Sequence, residues 1–264
     1  MGVRGYVTIA FFAYFLFLLA GLPAQKVVDW GIPKTNELSF SAVEGTVWNG
    51  HADRLLVEKR PVEALAWRFR PQALLFGEIA FNFAFGKSDS WAGGGRIGWG
   101  PLHWDTFFLE GVQGRVTLDQ LRGLIPDLPE GILARIQWQL ERVLLSQTQL
   151  VFLNGAVMLH DLTMVTPMKL FLGDFKIQAQ TVDHKLMAQI QDVSFEGKND
   201  TILAVRLEFK MDEQGRYNLN GEITPRDKND EHKLSNILKN IGKPIANGGV
   251  RVNLNGKWPG WKGI

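Results

Sequence analysis

The chain has 264 residues and contains no cysteine. The absence of thiols excludes disulfide bonds, thiolate catalysis, cysteine-ligated zinc and an acyl anchor on cysteine. It assigns no compartment, because a chain without cysteine suits the cytoplasm and an oxidising space equally. Positive and negative charges are nearly balanced: the net charge is +2, and no dense Lys/Arg stripe with interleaved aromatics occurs. The composition therefore does not indicate a nucleic-acid partner.

Catalytic motifs are missing as well. The sequence holds no Gly-x-Ser-x-Gly, no P-loop and no close carboxylate pair on a defined scaffold. Its five histidines are scattered, without the HxxxH or HExxH spacing that places two of them on one metal ion. We therefore predict that the chain is not an enzyme and that it holds no cofactor and no metal.

Two stretches resemble sites. In VEGTVWNGHADRL, His51 and Asp53 are two positions apart, so a strand would place both on one face. A metal or acyl-transfer site needs a third partner, and we predict instead that both are surface residues on the polar face of an edge strand. GGGRIG at Gly93 to Gly98 has dinucleotide-site spacing, but WGPLHWD follows it without a helical period. We predict a Gly-rich hairpin loop there.

Alternating hydrophobicity dominates the chain from Phe40 onward. Hydrophobic residues make up 45% and charged residues 21%, which is typical of a globular protein. GEIAFNFAFG, ILARIQWQLER, GDFKIQAQ, TILAVRLEFKM, RYNLNGEI and GVRVNLNG all alternate apolar and polar residues. Such short alternating runs between Gly- and Asn-containing turns predict a mainly β fold with an antiparallel sheet.

The N-terminus carries an uncharged run from Gly5 to Gln25, flanked by Arg4 and Lys26. About 20 apolar residues match the thickness of a bilayer core. We predict an uncleaved single-pass anchor at residues 7–25, a cytoplasmic tail at 1–6, a spacer at 26–39 and a periplasmic β-domain at 40–264. A signal peptide cut after Ala24 and a buried core helix are the alternatives.

Two short segments have helical rather than alternating spacing. They place Leu121, Leu124, Ile125 and Leu128, and later Leu234, Ile237, Leu238 and Ile241, on one face of a helix. The second set follows the first by about 110 residues, and EGTV resembles NGAV at a similar offset. We predict a duplicated unit, with repeats at 40–150 and 151–264, each carrying one short amphipathic helix.

The apolar residues are rich in aromatic side chains, with 17 Phe and 9 Trp. Phe81, Phe83 and Phe85 share one face of a predicted strand. A curved sheet with so apolar a face is either a closed core or a groove that holds lipid or a partner strand.

The sequence resembles the family of the bacterial type II secretion system protein N. The resemblance spans nearly the whole chain and rests on the N-terminal anchor, a Gly-Thr-x-Trp-x-Gly motif, a Trp-x-x-x-Pro-x-x-Leu-x-x-Gly motif, and a late YNLNGEI, amphipathic helix and GVRVNLNG segment. The motif residues, which we expect to be structural, are Gly45, Trp48, Gly50, Trp67, Pro71, Leu74 and Gly77.

The resemblance implies an accessory, non-enzymatic component of a protein-export apparatus. It implies a location in the bacterial inner membrane, with the main domain in the periplasm, and partners among the inner-membrane platform or the secretin. The AsmA-like group uses similar patterns, which leaves a lipid-binding or lipid-transfer groove as the alternative. An enzyme using His51 and Asp53 is the third hypothesis.

Overall fold

The computed structural model describes residues 3–31, 38–57, 60–87, 91–100, 103–122, 130–146, 149–166, 169–193, 201–227, 234 and 238–258. The chain divides into two compact units, Met1–Ser88 and Asp89–Ile264. The division does not coincide with the predicted repeats at 40–150 and 151–264, whose boundary lies inside the strand Gln149–Met164. The duplication itself stays a prediction.

Unit 1 begins with helices and continues as an antiparallel meander. Its described helices are α1 (Val3–Ala20) and α2 (Ala24–Gly31). Its strands pair in chain order and are β1 (Leu38–Gly45), β2 (Asn49–Val57), β3 (Arg60–Phe69) and β4 (Ile79–Gly86), with a 3₁₀ helix at Pro71–Phe76 between the last two.

Unit 2 continues the antiparallel pattern with ten described strands. The elements are β5 (Ala92–Gly100), β6 (His103–Thr117), α3 (Leu118–Arg122), β7 (Ile132–Ser146), β8 (Gln149–Met164), β9 (Leu170–Val182), β10 (Lys185–Asp192), β11 (Leu203–Met211), β12 (Arg216–Pro225), β13 (Lys243–Pro244) and β14 (Val250–Lys257). Strands adjacent in sequence pair with each other from β5 to β12, then β14 pairs with β12, and β13 pairs with β14.

The turns explain why neighbouring strands are antiparallel. Asp183 and His184 both have positive φ, at 48° and 58°, which is the backbone of a two-residue type I′ hairpin between β9 and β10. Between β11 and β12, Gly215 has φ 74° and its N–H donates to the Asp212 carbonyl. Short local connections of this kind confirm the predicted mainly β, antiparallel fold.

The predicted faces of the strands are also found. In β7, Ala134 is buried and Ile136 and Trp138 are half-buried, whereas Arg135 and Gln137 are exposed. In unit 2, ten of the described buried side chains form one cluster, from β9, β11, β12, β14 and two leucines of the predicted second helix, Leu234 and Leu238. Those two leucines are at most 2% exposed, so the segment that carries them closes this core.

The helical predictions are met only in part. The N-terminal run is not one helix: α1 ends at Ala20, and α2 begins at Ala24 after Pro23. No helix within the described residues combines the length and the hydropathy that a membrane crossing requires. Only five residues of the first predicted amphipathic helix are described as α3, and Leu124, Ile125, Leu128 and Ile237 lie outside the described residues.

Two local predictions were wrong. GGGRIG is not a hairpin loop but part of β5, paired with β6. Its glycines allow close strand approach, because a β-carbon on Gly95 would lie 2.7 Å from a methyl group of Val112. The strand that carries His51 and Asp53 is not an edge strand either, since β2 pairs with β1 and with β3. Both side chains are exposed, as predicted.

Candidate functional site

The turn between β1 and β2, residues Thr46 to Asn49, is fixed by its own backbone; we call it the motif turn. The Thr46 N–H donates to the Asn49 carbonyl at 2.9 Å, and the Asn49 N–H returns to Thr46 Oγ1 at 3.1 Å. Gly45 precedes the turn with φ 88°, and a β-carbon there would lie 2.5 Å from the Asn49 carbonyl oxygen. Only glycine therefore suits this position without strain.

Trp67, the first residue of the Trp-x-x-x-Pro-x-x-Leu-x-x-Gly motif, contacts the Gly-Thr-x-Trp-x-Gly motif. It pairs with Gly50 across β2 and β3, and its indole lies over that glycine: a β-carbon on Gly50 would be 2.6 Å from Trp67 Cζ2. The indole Nε1 donates to the carbonyls of Thr46 and Val47, at 3.3 and 3.1 Å. The two sequence motifs are thus one packing unit, in which Gly50 makes the space that Trp67 occupies.

Trp48 connects the motif turn to the end of α1. Its Nε1 donates to the Leu19 carbonyl at 2.7 Å, one of the last carbonyls of the helix, which lack a partner within it. The Val47 N–H donates to the Leu22 carbonyl at 3.0 Å, and Pro23 forms a bridge with Thr46. Ala24, which follows directly, is 3% exposed. The turn therefore holds the point at which the chain leaves α1.

The 3₁₀ helix Pro71–Phe76 presents apolar side chains to solvent. Pro71 begins it, and Gly77 ends it with φ 69° and an N–H bond to the Leu74 carbonyl at 3.0 Å. Its C-terminal half, Leu74 to Phe76, is 54%, 85% and 81% exposed; we call these three residues the apolar tip. Of the motif residues, Pro71 thus starts the 3₁₀ helix, Leu74 belongs to the apolar tip, and Gly77 ends the helix.

The predicted aromatic row, Phe81, Phe83 and Phe85, lies on β4, the strand that follows the 3₁₀ helix. Phe81 and Phe83 pair with Phe69 and Trp67 across β3 and β4, so all four share one face. Ring centroids are 5.3 Å apart between Phe69 and Phe81, and 6.3 Å apart between Phe83 and Phe85. The row is half-buried, and its alternating neighbours Asn82 and Ala84 are exposed.

The histidine and aspartate pair that the sequence singled out, His51 and Asp53, is exposed to solvent. His51 Nε2 lies 3.5 Å from Glu44 Oε2, and both side chains are more than half exposed. The described residues contain no group of three or more His, Asp or Glu that could hold a metal ion. Another histidine lies beside a carboxylate: His160 Nδ1 is 3.3 Å from Asp174 Oδ2. The Oδ1 atom of Asp174 accepts the Asp161 N–H at 2.7 Å.

Unit 2 contains a cavity that the sequence analysis did not predict. It has a volume of about 240 Å³, and its lining side chains are all apolar. They come from β8 to β12 and from the segment around Leu234 and Leu238; Phe175, Ile190 and Val205 are among them. The alternation of apolar residues predicted that one face of these strands is apolar. The cavity itself depends on the register between the strands, which local alternation does not specify.

Comparison with known proteins identifies the family. A family model described as Type II secretion system (T2SS), protein N matches residues 36–253. A type II secretion system protein N from Aeromonas hydrophila is 24% identical over 246 residues, covering 93% of this chain and 94% of that protein. No solved structure matches. The chain therefore belongs to the type II secretion system protein N family.

Proposed function

We propose that the chain is a non-enzymatic accessory component of the type II secretion system, anchored in the bacterial inner membrane and supporting protein export across the outer membrane. The observation that carries the proposal is the family match over residues 36–253, which includes every described strand up to β13 and part of β14. The exposure of His51 and Asp53 favours a surface role for this pair.

The proposed anchor is residues 7–25, with 1–6 in the cytoplasm, 26–39 as a spacer and 40–264 in the periplasm. Its support is that α1 exposes apolar side chains at nearly every position and so has no polar face. A helix that is apolar all round is typical of a lipid environment. The exposed side chains are those of Tyr6, Val7, Ile9, Phe11, Phe12, Tyr14, Phe15, Leu16, Phe17, Leu18 and Leu19.

The proposed docking site for other secretion components, the inner-membrane platform or the secretin, is the outer edge of β14. One side of β14 pairs with β12 along its whole length, from Val250 to Lys257. Among the described residues, the other side pairs only through Val250 and Arg251, with the two-residue strand β13. Such an edge accepts an added strand from a partner.

The direction of the backbone groups follows from two hydrogen bonds. The Trp258 N–H donates to the Gly215 carbonyl at 2.8 Å, toward β12, whereas the Gly249 carbonyl accepts from Ile245 at 3.0 Å, on the outer side. In a strand, the N–H and C=O of one residue point to the same side, and the side alternates from each residue to the next. Asn253 and Asn255 lie an even number of positions after Gly249, so their N–H groups also point outward. Leu254 between them is 49% exposed.

Photo-crosslinking in living cells tests this proposal. A photo-reactive residue replaces Leu254 on β14 or, as the control, the exposed Arg206 on β11, which has strand partners on both sides. We expect adducts with inner-membrane platform or secretin proteins at position 254 and few at 206. Equal labelling at both positions, or adducts to unrelated proteins alone, would contradict docking at this edge.

A second candidate function is lipid binding or transfer, as in the AsmA-like group. The apolar cavity of about 240 Å³ in unit 2 favours it, as does the aromatic row of Phe81, Phe83 and Phe85 in unit 1. An acyl chain suits a space without polar lining because it leaves no hydrogen bond unmade.

Native mass spectrometry of the full chain, extracted from membranes, tests the lipid hypothesis. Ile190→Trp would fill the cavity, and Gln191→Trp on the exposed side of the same strand is the matched control. Binding in the cavity predicts lipid on the wild type and on Gln191→Trp, with loss from Ile190→Trp. Absence of lipid from the wild type, or its retention by Ile190→Trp, would exclude this site.

A further inference from the structure

We infer that the apolar tip, Leu74 to Phe76, inserts into the lipid surface beside α1 and forms a second membrane contact of unit 1. The inference rests on the proposed membrane anchoring of α1. It assigns the Trp-x-x-x-Pro-x-x-Leu-x-x-Gly motif a role beyond packing: the motif builds a short wedge that faces lipid.

The tip is a fixed feature of the backbone. Arg70, just before the 3₁₀ helix, donates its N–H to the Ala80 carbonyl at 2.9 Å, and Glu78, which follows the cap Gly77, donates its N–H to the Ala73 carbonyl at 3.0 Å. Ala73 itself is 5% exposed, so the 3₁₀ helix buries one small side chain and directs Leu75 and Phe76 outward. Ordered backbone on both sides means that these exposed side chains would cost little further entropy when they insert.

Continuity with α1 identifies lipid as the occupant. Trp48 donates to the Leu19 carbonyl at the end of α1, and its ring centroid lies 5.0 Å from that of Phe69. The Phe69 N–H in turn donates to the Trp48 carbonyl at 2.6 Å, and the 3₁₀ helix begins two residues later, at Pro71. Because that helix is about 12 Å long, the tip stays close to the end of an apolar, exposed helix.

Trp30 adds a further exposed apolar side chain near the end of α1. Trp30, near the end of α2, is 77% exposed, although α2 begins four residues after α1 ends and contacts β1. Tryptophan is enriched where proteins cross the boundary between lipid and water. Trp30, which precedes the motif turn in the sequence, and the tip, which follows it, therefore both extend the lipid contact proposed for α1.

The size of the tip favours a lipid surface over a protein partner. A specific protein interface buries about 1,000 Å² or more, which three side chains do not supply. Insertion into a bilayer needs far less area once another segment already holds the chain at the membrane, because the local concentration of lipid is then high. Three exposed side chains next to a membrane anchor are therefore enough for insertion into lipid, but too few for specific binding to a protein.

Single-cysteine labelling of the full chain tests the inference, and the chain offers a clean background because it has no native cysteine. Leu75→Cys reports the tip, and Phe11→Cys reports α1. Arg54→Cys is the matched control on unit 1, since Arg54 is exposed and lies about 16 Å along β2 from the motif turn. Each variant carries an environment-sensitive fluorophore in vesicles of phosphatidylethanolamine and phosphatidylglycerol.

We expect nitroxide-bearing lipid to remove most of the fluorescence at positions 75 and 11, and aqueous iodide to remove it at position 54. If 75 behaves like 54 while 11 is quenched by lipid, the tip inference is wrong and the anchor stands. If 11 also behaves like 54, the anchor fails with it. Lipid quenching at all three positions, or a photo-crosslinker at Leu75 that forms mainly protein adducts in cells, would also overturn the inference.

Discussion

The indole of Trp67 covers Gly50 so closely that a β-carbon on residue 50 would come within 2.6 Å of Trp67 Cζ2 and 2.7 Å of the Glu44 carbonyl oxygen. The two residues lie on adjacent strands, and their contact holds the motif turn between the end of α1 and the sheet of unit 1.

Gly50→Ala is expected to destabilise unit 1 by about 1–3 kcal/mol, because the added methyl group must displace the indole or the β1 backbone. Thermal unfolding of the full chain in detergent measures the effect. Gly21→Ala is the control, since a β-carbon there meets only the Phe17 carbonyl oxygen at an ordinary 3.5 Å. An equal melting temperature for both variants would contradict the packing described here.

Trp48→Phe keeps an aromatic ring against Phe69 but removes the Nε1 bond to the Leu19 carbonyl. We expect a loss of about 0.5–1.5 kcal/mol and faster hydrogen exchange at the Val47 amide, which is bonded to the Leu22 carbonyl in the same junction. Exchange measured by mass spectrometry tests this. Trp30→Phe, at a 77% exposed position, should leave Val47 unchanged, and an identical effect of both substitutions would refute the role of Trp48.

Leu238→Ala is expected to cost unit 2 about 2–5 kcal/mol, because a 2% exposed side chain leaves a cavity in the main core. The exposed neighbour Lys239 provides the control, and Lys239→Ala should shift the unfolding free energy by about 0.5 kcal/mol or less. Chemical denaturation followed by tryptophan fluorescence measures both. A small effect of Leu238→Ala would mean that this segment does not close the core.

Asn255→Pro is expected to reduce secretion of type II substrates while the protein stays folded. Proline removes the outward N–H of the β14 edge but spares the bonds toward β12, and proline is tolerated on strand edges. Asn255→Ala removes the same side chain and keeps the N–H, so it should secrete normally. Normal secretion by Asn255→Pro would show that partners do not extend the sheet at this edge.

His51→Ala and Asp53→Asn are expected to leave secretion unchanged, alone or combined, because both side chains are exposed and the described residues hold no group of three or more His, Asp or Glu that could bind a metal ion. Secreted enzyme activity in the culture medium is the measurement. Loss of secretion with normal protein levels would revive the hypothesis of a site at this pair.

Sequence periodicity predicted six of the fourteen described strands, β4, β7, β9, β11, β12 and β14, because alternation is a local property. It placed Ile136 and Trp138 of β7 on the inner face and Arg135 and Gln137 on the outer face, as found. It misassigned Gly93 to Gly98 as a loop because glycine is depleted in strands. Here, glycine permits a close pairing with β6 that only the three-dimensional arrangement reveals.

The candidate sites depended on information that local patterns lack. The family motifs marked Gly50 and Trp67 as structural residues. They did not show that the Trp67 indole fills the space above Gly50, because this contact depends on the register between β2 and β3. Likewise, Leu75 and Phe76 belong to an apolar run in the sequence, and apolar runs usually indicate core. Only the backbone of the 3₁₀ helix shows that they are 85% and 81% exposed.

Deletion of the gene for this chain in a strain with an active type II secretion system tests the central claim most directly. The account predicts that substrates accumulate in the periplasm, that their export across the inner membrane is unchanged, and that the wild-type chain restores their release into the medium. Unaltered release of every type II substrate after the deletion would contradict it.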